Sequence, residues 1–286
     1  MLKINSLKPL KRFPYWLRQP VRVDAGVEET KDLLDSLRIN TVCQSARCPN
    51  IYDCFSRKKC TFLILGNYCT RGCLFCAIET EGTLKPPDKD EIFDIKKAVK
   101  ELGTRHLVIT SVTRDDLPDG GAGHFADCIR ILKDSDADLD IEVLVPDFLG
   151  KKHAIEKVVF AGPDTFAHNV ETVPRLYKKV RSNADYQRSL DVLRIAKESS
   201  PGCLTKSSLM VGLGERDIEV YRVMRDLKSI GCEAITIGQY LKPAPESLEV
   251  ERFLHPEEFA RFSKWAGQLG FRKFSCSPLA RSSYLE

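Results

Sequence analysis

Cys69, Cys73 and Cys76 form a CxxxCxxC run directly after the apolar stretch 61–65. Three thiolates spaced this closely on one loop can converge on one inorganic centre. On a four-iron cluster, three protein ligands leave one iron without a protein ligand, and an open metal position is where chemistry happens. A second triplet, Cys43, Cys48 and Cys54, lies upstream with CxxxxCxxxxxC spacing. Six of the 11 cysteines therefore fall in one N-terminal window, in two separate groups.

Two simpler uses of the cysteines fit less well. A disulfide framework suits a short secreted domain, whereas this chain has 286 residues and an odd cysteine total. Met1 to Phe13 carries Lys3, Lys8, Lys11 and Arg12 but no apolar signal core, so a reducing, cytoplasmic setting is expected. Structural zinc usually takes paired ligands summing to four. Each triplet stops at three, and no histidine lies between Cys43 and Cys76.

The elements that must hold these cysteines follow a strand–helix rhythm. Strands are predicted at 61–65, 106–112, 140–145, 165–170, 207–211 and 233–237. Helical patterns fill the gaps, at Asp90–Leu102, 124–132, 153–160, 186–197, 217–230 and 256–269. Six βα units in a row predict an α/β fold, a parallel sheet with crossover helices, closed only in part as a TIM-like (βα)6 barrel. The strands are expected to bury both faces. Residues 1–54 read as an N-terminal extension carrying the first triplet on a loop, with a short helix at 27–37 and an irregular segment at 12–18. Residues 55–275 read as the barrel, and 276–286 as a C-terminal tail.

Polar and glycine residues gather after successive strands: Thr113–Ala122, Asn169–Thr172, Gly212–Glu215 and Gln239–Pro243. In a parallel barrel that is the face where active sites form. Asn169 and Glu171, one residue apart at a strand end, are expected to share a pocket with Val170 turned away. Gly212 and Gly214 would let backbone approach a ligand closely. Arg114, Arg175 and Arg281 are read as surface ion-pair partners by default. The five histidines show no ligand spacing and are read as structural. The cysteines outside the triplets are read as small buried residues, with Cys60 and Cys276 flanking motif regions. The net charge of +4 is spread along the chain, so nucleic-acid binding gains little support, and no apolar run approaches the length of a membrane span.

CxxxCx(aromatic)C after the first strand of a βα barrel resembles the radical S-adenosylmethionine (SAM) enzymes, with Phe75 at the aromatic position. The upstream Cys43/Cys48/Cys54 triplet and the terminal Arg281-Ser-Ser-Tyr284 narrow the resemblance to the lipoyl synthase family. The likeness extends to Lys11–Arg18, Thr110–Asp116, Asp119–Gly121, His168–Thr172 and Val211–Glu215.

The resemblance implies two [4Fe–4S] clusters and SAM. Cys69, Cys73 and Cys76 would hold the radical SAM cluster, whose open iron SAM chelates. Cys43, Cys48 and Cys54, with Ser283 as fourth ligand, would hold an auxiliary cluster that serves as sulfur donor. A deoxyadenosyl radical would remove hydrogen from an octanoyl chain, and sulfur would enter at carbons six and eight. Alkyl C–H bonds do not yield to acid–base chemistry, so a cofactor must supply the radical while the protein supplies aim and exclusion of water. Phe75, Asn169, Glu171, Gly212 and Gly214 are the expected SAM-side residues, with Asp115 and Asp116 near the SAM amino group. The implied partners are an octanoylated lipoyl carrier (the glycine cleavage H protein or the lipoyl domain of a 2-oxoacid dehydrogenase acyltransferase), a ferredoxin or flavodoxin as electron donor, and an iron–sulfur carrier. A monomer is expected. A biotin-synthase-like enzyme would not group auxiliary ligands in an upstream triplet. A ferredoxin-type carrier needs four thiolates per cluster and little more chain. A zinc-stabilised binding module would be colourless.

Overall fold

The computed structural model describes residues 13–19, 21 and 24–283; Lys11, Arg12 and Tyr284 of the motifs above lie outside them. The N-terminal part contains α1 (Ala25–Ser36), α2 (Val42–Ser45) and α3 (Ile51–Ser56). Asp24 caps α1 by accepting from Val27 N, and Thr41 caps α2 by accepting from Gln44 N. Thr30 Oγ1 donates to Phe55 O at 2.9 Å, locking α1 onto α3. The first triplet is therefore not on a loop. Cys43 sits in α2 and Cys54 in α3, with Cys48 and Pro49 in the break between them. The segment 12–18 contains a 3-10 turn at Tyr15–Leu17.

The rest of the chain alternates β1 (Thr61–Ile64), α4 (Asp90–Leu102), β2 (His106–Ser111), α5 (Ala122–Ser135), β3 (Asp140–Leu144), α6 (Lys152–Val159), β4 (Thr165–Ala167), α7 (Tyr177–Val180), α8 (Tyr186–Ser199), β5 (Leu204–Val211), α9 (Asp217–Ser229), β6 (Ala234–Gln239), α10 (Pro256–Gln268) and β7 (Lys273–Ser277). Each strand pairs in parallel with the next, in the order β1 to β7. The α/β partial barrel expected from the sequence is what forms, but with seven strands rather than six. Lys-Phe-Ser-Cys-Ser in β7 has no apolar run; pairing with β6, not hydrophobic pattern, makes it a strand. β4 is shorter than expected and ends at Ala167; His168 to Val170 leave the strand, and Glu171 returns to β5 as a single parallel bridge to Leu209.

The registers show why the strands are not apolar on both faces. Phe62, Ile64, Leu107, Ile109, Ile141, Val143 and Phe166 are almost wholly buried on the helix-covered side. Alternate positions line the concave side: Thr61, Thr110, Glu142, Thr165, Lys206, Ser208 and Thr236. There Lys206 Nζ meets Glu142 Oε2 at 2.8 Å, both buried. The core thus sits between sheet and helices, while the barrel interior mixes these polar groups with Leu63, Val108 and Leu204. The outer edge of β1 is covered by the N-terminal segment: Leu63 N donates to Asn40 O at 2.8 Å, and Thr41 bridges Phe62 antiparallel.

Candidate active site

The loop after β1 carries the CxxxCxxC triplet and is tied down on three sides. Thr70 N donates to Thr113 O at 3.0 Å, and Asp115 N donates to Thr70 Oγ1 at 3.1 Å, fixing the loop to the one after β2. Leu74 N donates to Val180 O at the end of α7, and Leu248 N donates to Leu74 O. Cys69 N donates to Glu79 O, which folds the loop back on itself. Two thiols receive backbone donors within the loop: Arg71 N to Cys69 Sγ and Ile78 N to Cys76 Sγ, both at 3.4 Å. Such donors favour a thiolate and orient it toward a metal.

Burial pushes the Cys76 thiol up to about 12, helped by Cys73, Cys69 and Glu171 nearby. Cys73 is raised for the same first reason, while the Arg181 guanidinium pulls it back. The mutual influence of Cys69, Cys73 and Cys76 places the three thiols together, beside Glu171 and Arg181. With burial raising Cys73 and Cys76, binding of a metal there would be coupled to release of their protons.

Sequence reasoning missed the groups behind this loop. Arg71 lies between the first two cysteines and is 6 % exposed. Its Nε donates to Asp115 at 2.7 Å and its Nη2 to Asp147 at 2.6 Å. Burial works against its charge, but those two carboxylates outweigh it and raise its pKa. Asp115 is therefore committed to Arg71, and Asp116 to Arg114 at 2.8 Å. Arg114 is no surface residue: it is 2 % exposed and also donates to Leu65 O where β1 ends. Only the invariant need of a buried guanidinium for partners could have flagged Arg71, and its partners are far away in sequence.

Across the pocket, Asn169 Nδ2 donates to Glu171 Oε1 at 3.0 Å, and Val170 is turned into the core. Glu171 adopts φ 63°, a left-handed backbone that carries its side chain back toward Asn169. Burial raises the Glu171 carboxyl, and Arg181 opposes the shift. Arg181 Nη1 donates to Asn169 O and Val170 O, while its buried Nε has no partner. At Gly212 the space a side chain would need is taken by the Gln239 amide and the Arg252 carbonyl, so the glycine there answers to packing within the protein. Glu215 binds the Gly212 and Leu213 amides. Arg175 grips Glu219 through two bonds and Gly214 O through another.

The upstream triplet surrounds a separate cavity of about 350 Å³. Cys43, Cys48, Cys54, Arg281 and Ser283 all line it, with Thr61, His106 and Val108 from the starts of β1 and β2. Residues more than 200 apart in sequence thus share one wall. Asn50, between Cys48 and Cys54, donates its Nδ2 to Leu279 O at 2.8 Å and holds the C-terminal tail there. Burial raises Cys43 to about 11 and Cys54 to about 12, the latter with help from Cys43 and Cys48. Cys60 also lines the cavity, and after burial Cys43 and Cys54 raise it. Among the described residues no three His, Cys, Asp or Glu side chains close on a single-ion site. The thiols ring a cavity instead, which suits a polynuclear centre better than one ion. Arg281, expected at the surface, is half-buried in the wall of this cavity, near Cys48.

Residues 63–227 match the radical SAM superfamily. The chain is 51% identical over 272 residues to a lipoyl synthase of Caldicellulosiruptor saccharolyticus, covering 95% of each chain. It is 48% identical over 268 residues to a lipoyl synthase of Aquifex aeolicus, covering 94% of this chain and 97% of the relative. Among solved structures, methylornithine synthase superposes with a TM-score of 0.57 at 17% identity, over 87% of this chain and 74% of that one, a likeness of fold.

Proposed function

We propose, for a chain that belongs to the lipoyl synthase family of the radical SAM superfamily, that it inserts two sulfur atoms into the octanoyl chain of an octanoyl-lysine on a lipoyl carrier protein. The observation that carries this reading is the pair of separate thiol triplets, one on the loop after β1 and one lining a cavity together with a serine from the opposite end of the chain. The family chemistry needs one [4Fe–4S] cluster with SAM to generate a radical and a second cluster to surrender sulfur.

Each triplet fits such a group. Cys69, Cys73 and Cys76 are three ligands and no more, on a loop whose amides already point at two of the sulfurs. Asn169 and Glu171 face the same thiols and offer a hydroxyl-binding pair for the ribose of SAM. The unpartnered Arg181 Nε offers a donor to its carboxylate. Phe75, partly buried against the core, fixes the loop before Cys76. Gly212 and Gly214 shape the loop after β5 that borders the nucleoside. At the second triplet, Ser283 supplies an oxygen where a fourth thiolate would otherwise stand. An alkoxide is a harder ligand, less well matched to iron than sulfur is, so this corner is the one that can release. Arg281 beside Cys48 offsets the negative charge that thiolates and sulfide bring.

Inside the barrel Glu142 and Lys206 satisfy each other. The division into an extension at 1–54, a barrel at 55–275 and a tail at 276–286 assigns the auxiliary ligands to the two outer parts. The partners proposed are the octanoylated H protein or an acyltransferase lipoyl domain, a ferredoxin or flavodoxin, and an iron–sulfur carrier that rebuilds the auxiliary centre. A cytoplasmic monomer is the proposed form; no described helix is long and apolar enough to cross a membrane.

The test is anaerobic reconstitution with iron and sulfide, followed by SAM, a low-potential reductant and a peptide bearing octanoyl-lysine. Gain of two sulfurs on the peptide together with deoxyadenosine supports the reading. Deoxyadenosine without sulfur transfer, from protein shown to hold both clusters, refutes the assigned substrate.

A further inference from the structure

Three consecutive residues near the chain's end reach three different places. Arg281 lies beside Cys48, Ser283 lines the auxiliary cavity, and between them Ser282 Oγ donates to Asn169 Oδ1 at 3.2 Å. Asn169 in turn gives its Nδ2 to Glu171. One short strap therefore touches the auxiliary pocket and the pocket of the radical triplet together.

The route of the strap is fixed. Gln239 N donates to Pro278 O at 3.2 Å, Asn50 Nδ2 donates to Leu279 O at 2.8 Å, and Ala280 N donates to Ser277 O at 3.1 Å. It crosses β6 at Gly238, where an added Cβ would overlap Ala280 O. The glycine there is a demand for space, because backbone atoms cannot swing aside as a side chain can.

The amide of Asn169 is held from both ends, by Glu171 on one side and by Ser282 on the other. Its two ends have nearly the same shape, and only their partners tell nitrogen from oxygen. Glu171 holds the Nδ2 end and Ser282 the Oδ1 end, so the side chain is anchored at both. The oxygen keeps a second lone pair for a ligand.

We propose that Ser282 is a positioning residue that couples the two centres: seating Ser283 in the auxiliary cavity sets Ser282 on Asn169 and thereby orients the Asn169–Glu171 pair that SAM meets. The inference rests on the assignment of Asn169 and Glu171 to SAM made above. Coupling between sites is reciprocal, so an assembled auxiliary centre tightens SAM and bound SAM steadies the strap. SAM is then held firmly only when a sulfur source is in place, which limits its cleavage to no purpose.

The experiment compares SAM affinity, by equilibrium dialysis without reductant, in two forms of the full chain. One form is loaded on both triplets; the other carries Cys54→Ala and is loaded on the radical triplet alone. The expected ratio of affinities is about ten-fold. Ser282→Ala brings that ratio to about one while iron per chain stays at its parent value, and Ser282→Thr restores it. Gly238→Ala, which displaces the strap and leaves Ser282 in the sequence, lowers the ratio too and serves if the serine variant loads poorly. A ratio as large in Ser282→Ala and Gly238→Ala as in the parent overturns the coupling. Failure of every loaded form to bind SAM overturns the assignment of the radical pocket, and the coupling with it.

Discussion

Arg71 is held to Asp147 at 2.6 Å, and both side chains are all but sealed from solvent. The pair joins the radical-triplet loop to the turn after β3, where Asp147 also accepts from Leu149 N and meets Arg188 at 3.3 Å. Removing Asp147 leaves the buried Arg71 with Asp115 as its one carboxylate and takes away its two bonds to Asp147, at a cost of about 1–3 kcal/mol. Asp147→Ala is expected to destabilise the metal-free protein by that order in chemical denaturation. It is also expected to lower iron loading on Cys69, Cys73 and Cys76 more than on the upstream triplet. Equal loading of both would show that the pair serves stability alone.

The two cysteine triplets were legible because their spacing is local: a few residues fix three sulfurs. The barrel was legible because six apolar strands alternate with amphipathic helices such as Asp90–Leu102. β7 was not, since Lys273–Ser277 becomes a strand through its partner β6 rather than through its own pattern. The polar lining was hidden for a related reason. Strands such as Asp140–Leu144 alternate, yet short apolar runs read as buried on both sides until the register shows Glu142 facing Lys206. Arg71 with Asp147, and Ser282 with Asn169, join residues more than 70 apart in sequence, and no local signal marks either pair.

Lys206 and Glu142 form two hydrogen bonds inside the barrel, at 2.9 and 2.8 Å, and neither is more than 8 % exposed. Lys206→Met is expected to cost about 3–5 kcal/mol because Glu142 is left alone. Replacing both, with Lys206→Met and Glu142→Leu, is expected to recover most of that loss, since two apolar groups need no partners. Thermal unfolding of the single and double variants separates the outcomes. A double variant no more stable than the single one would mean that the pair does more than satisfy itself.

His168 is buried and its Nδ1 lies 2.8 Å from Val145 O; because a carbonyl only accepts, Nδ1 carries the proton and the neutral ring leaves Nε2 bare. Burial, and after it Arg181, lower its pKa from 6.5 to about 4. The unfolded chain therefore takes up a proton that the native state refuses. The stability this gives is present above the unfolded value and is lost as pH falls toward the folded one. The shift corresponds to about 3 kcal/mol. Denaturant titrations of the metal-free protein between about pH 7.5 and 4.5 should show that decline, and His168→Gln should flatten part of it. A profile identical in the two proteins would place the acid sensitivity elsewhere.

Ser283 is the only residue of the auxiliary cavity's proposed ligand set that brings oxygen rather than sulfur to iron, and it arrives on the strap that Asn50 and Gly238 hold in place. If the cluster must open to give up sulfur, the weakest bond should be the one to this side chain. Ser283→Cys puts a better-matched ligand at that corner. The variant is expected to load the same iron as the parent and to form deoxyadenosine, yet to place less sulfur on the octanoyl peptide, with a fall of about ten-fold or more if release from this corner limits the step. Ser283→Ala removes the ligand instead, and is expected to lose auxiliary iron on gel filtration while the radical triplet keeps its own. Peptide mass, deoxyadenosine and iron per chain, measured on the same samples, distinguish a cluster that cannot open from one that never forms. Undiminished sulfur transfer from the cysteine variant would refute a labile serine ligand and turn attention to the cluster sulfides nearest Cys43, Cys48 and Cys54.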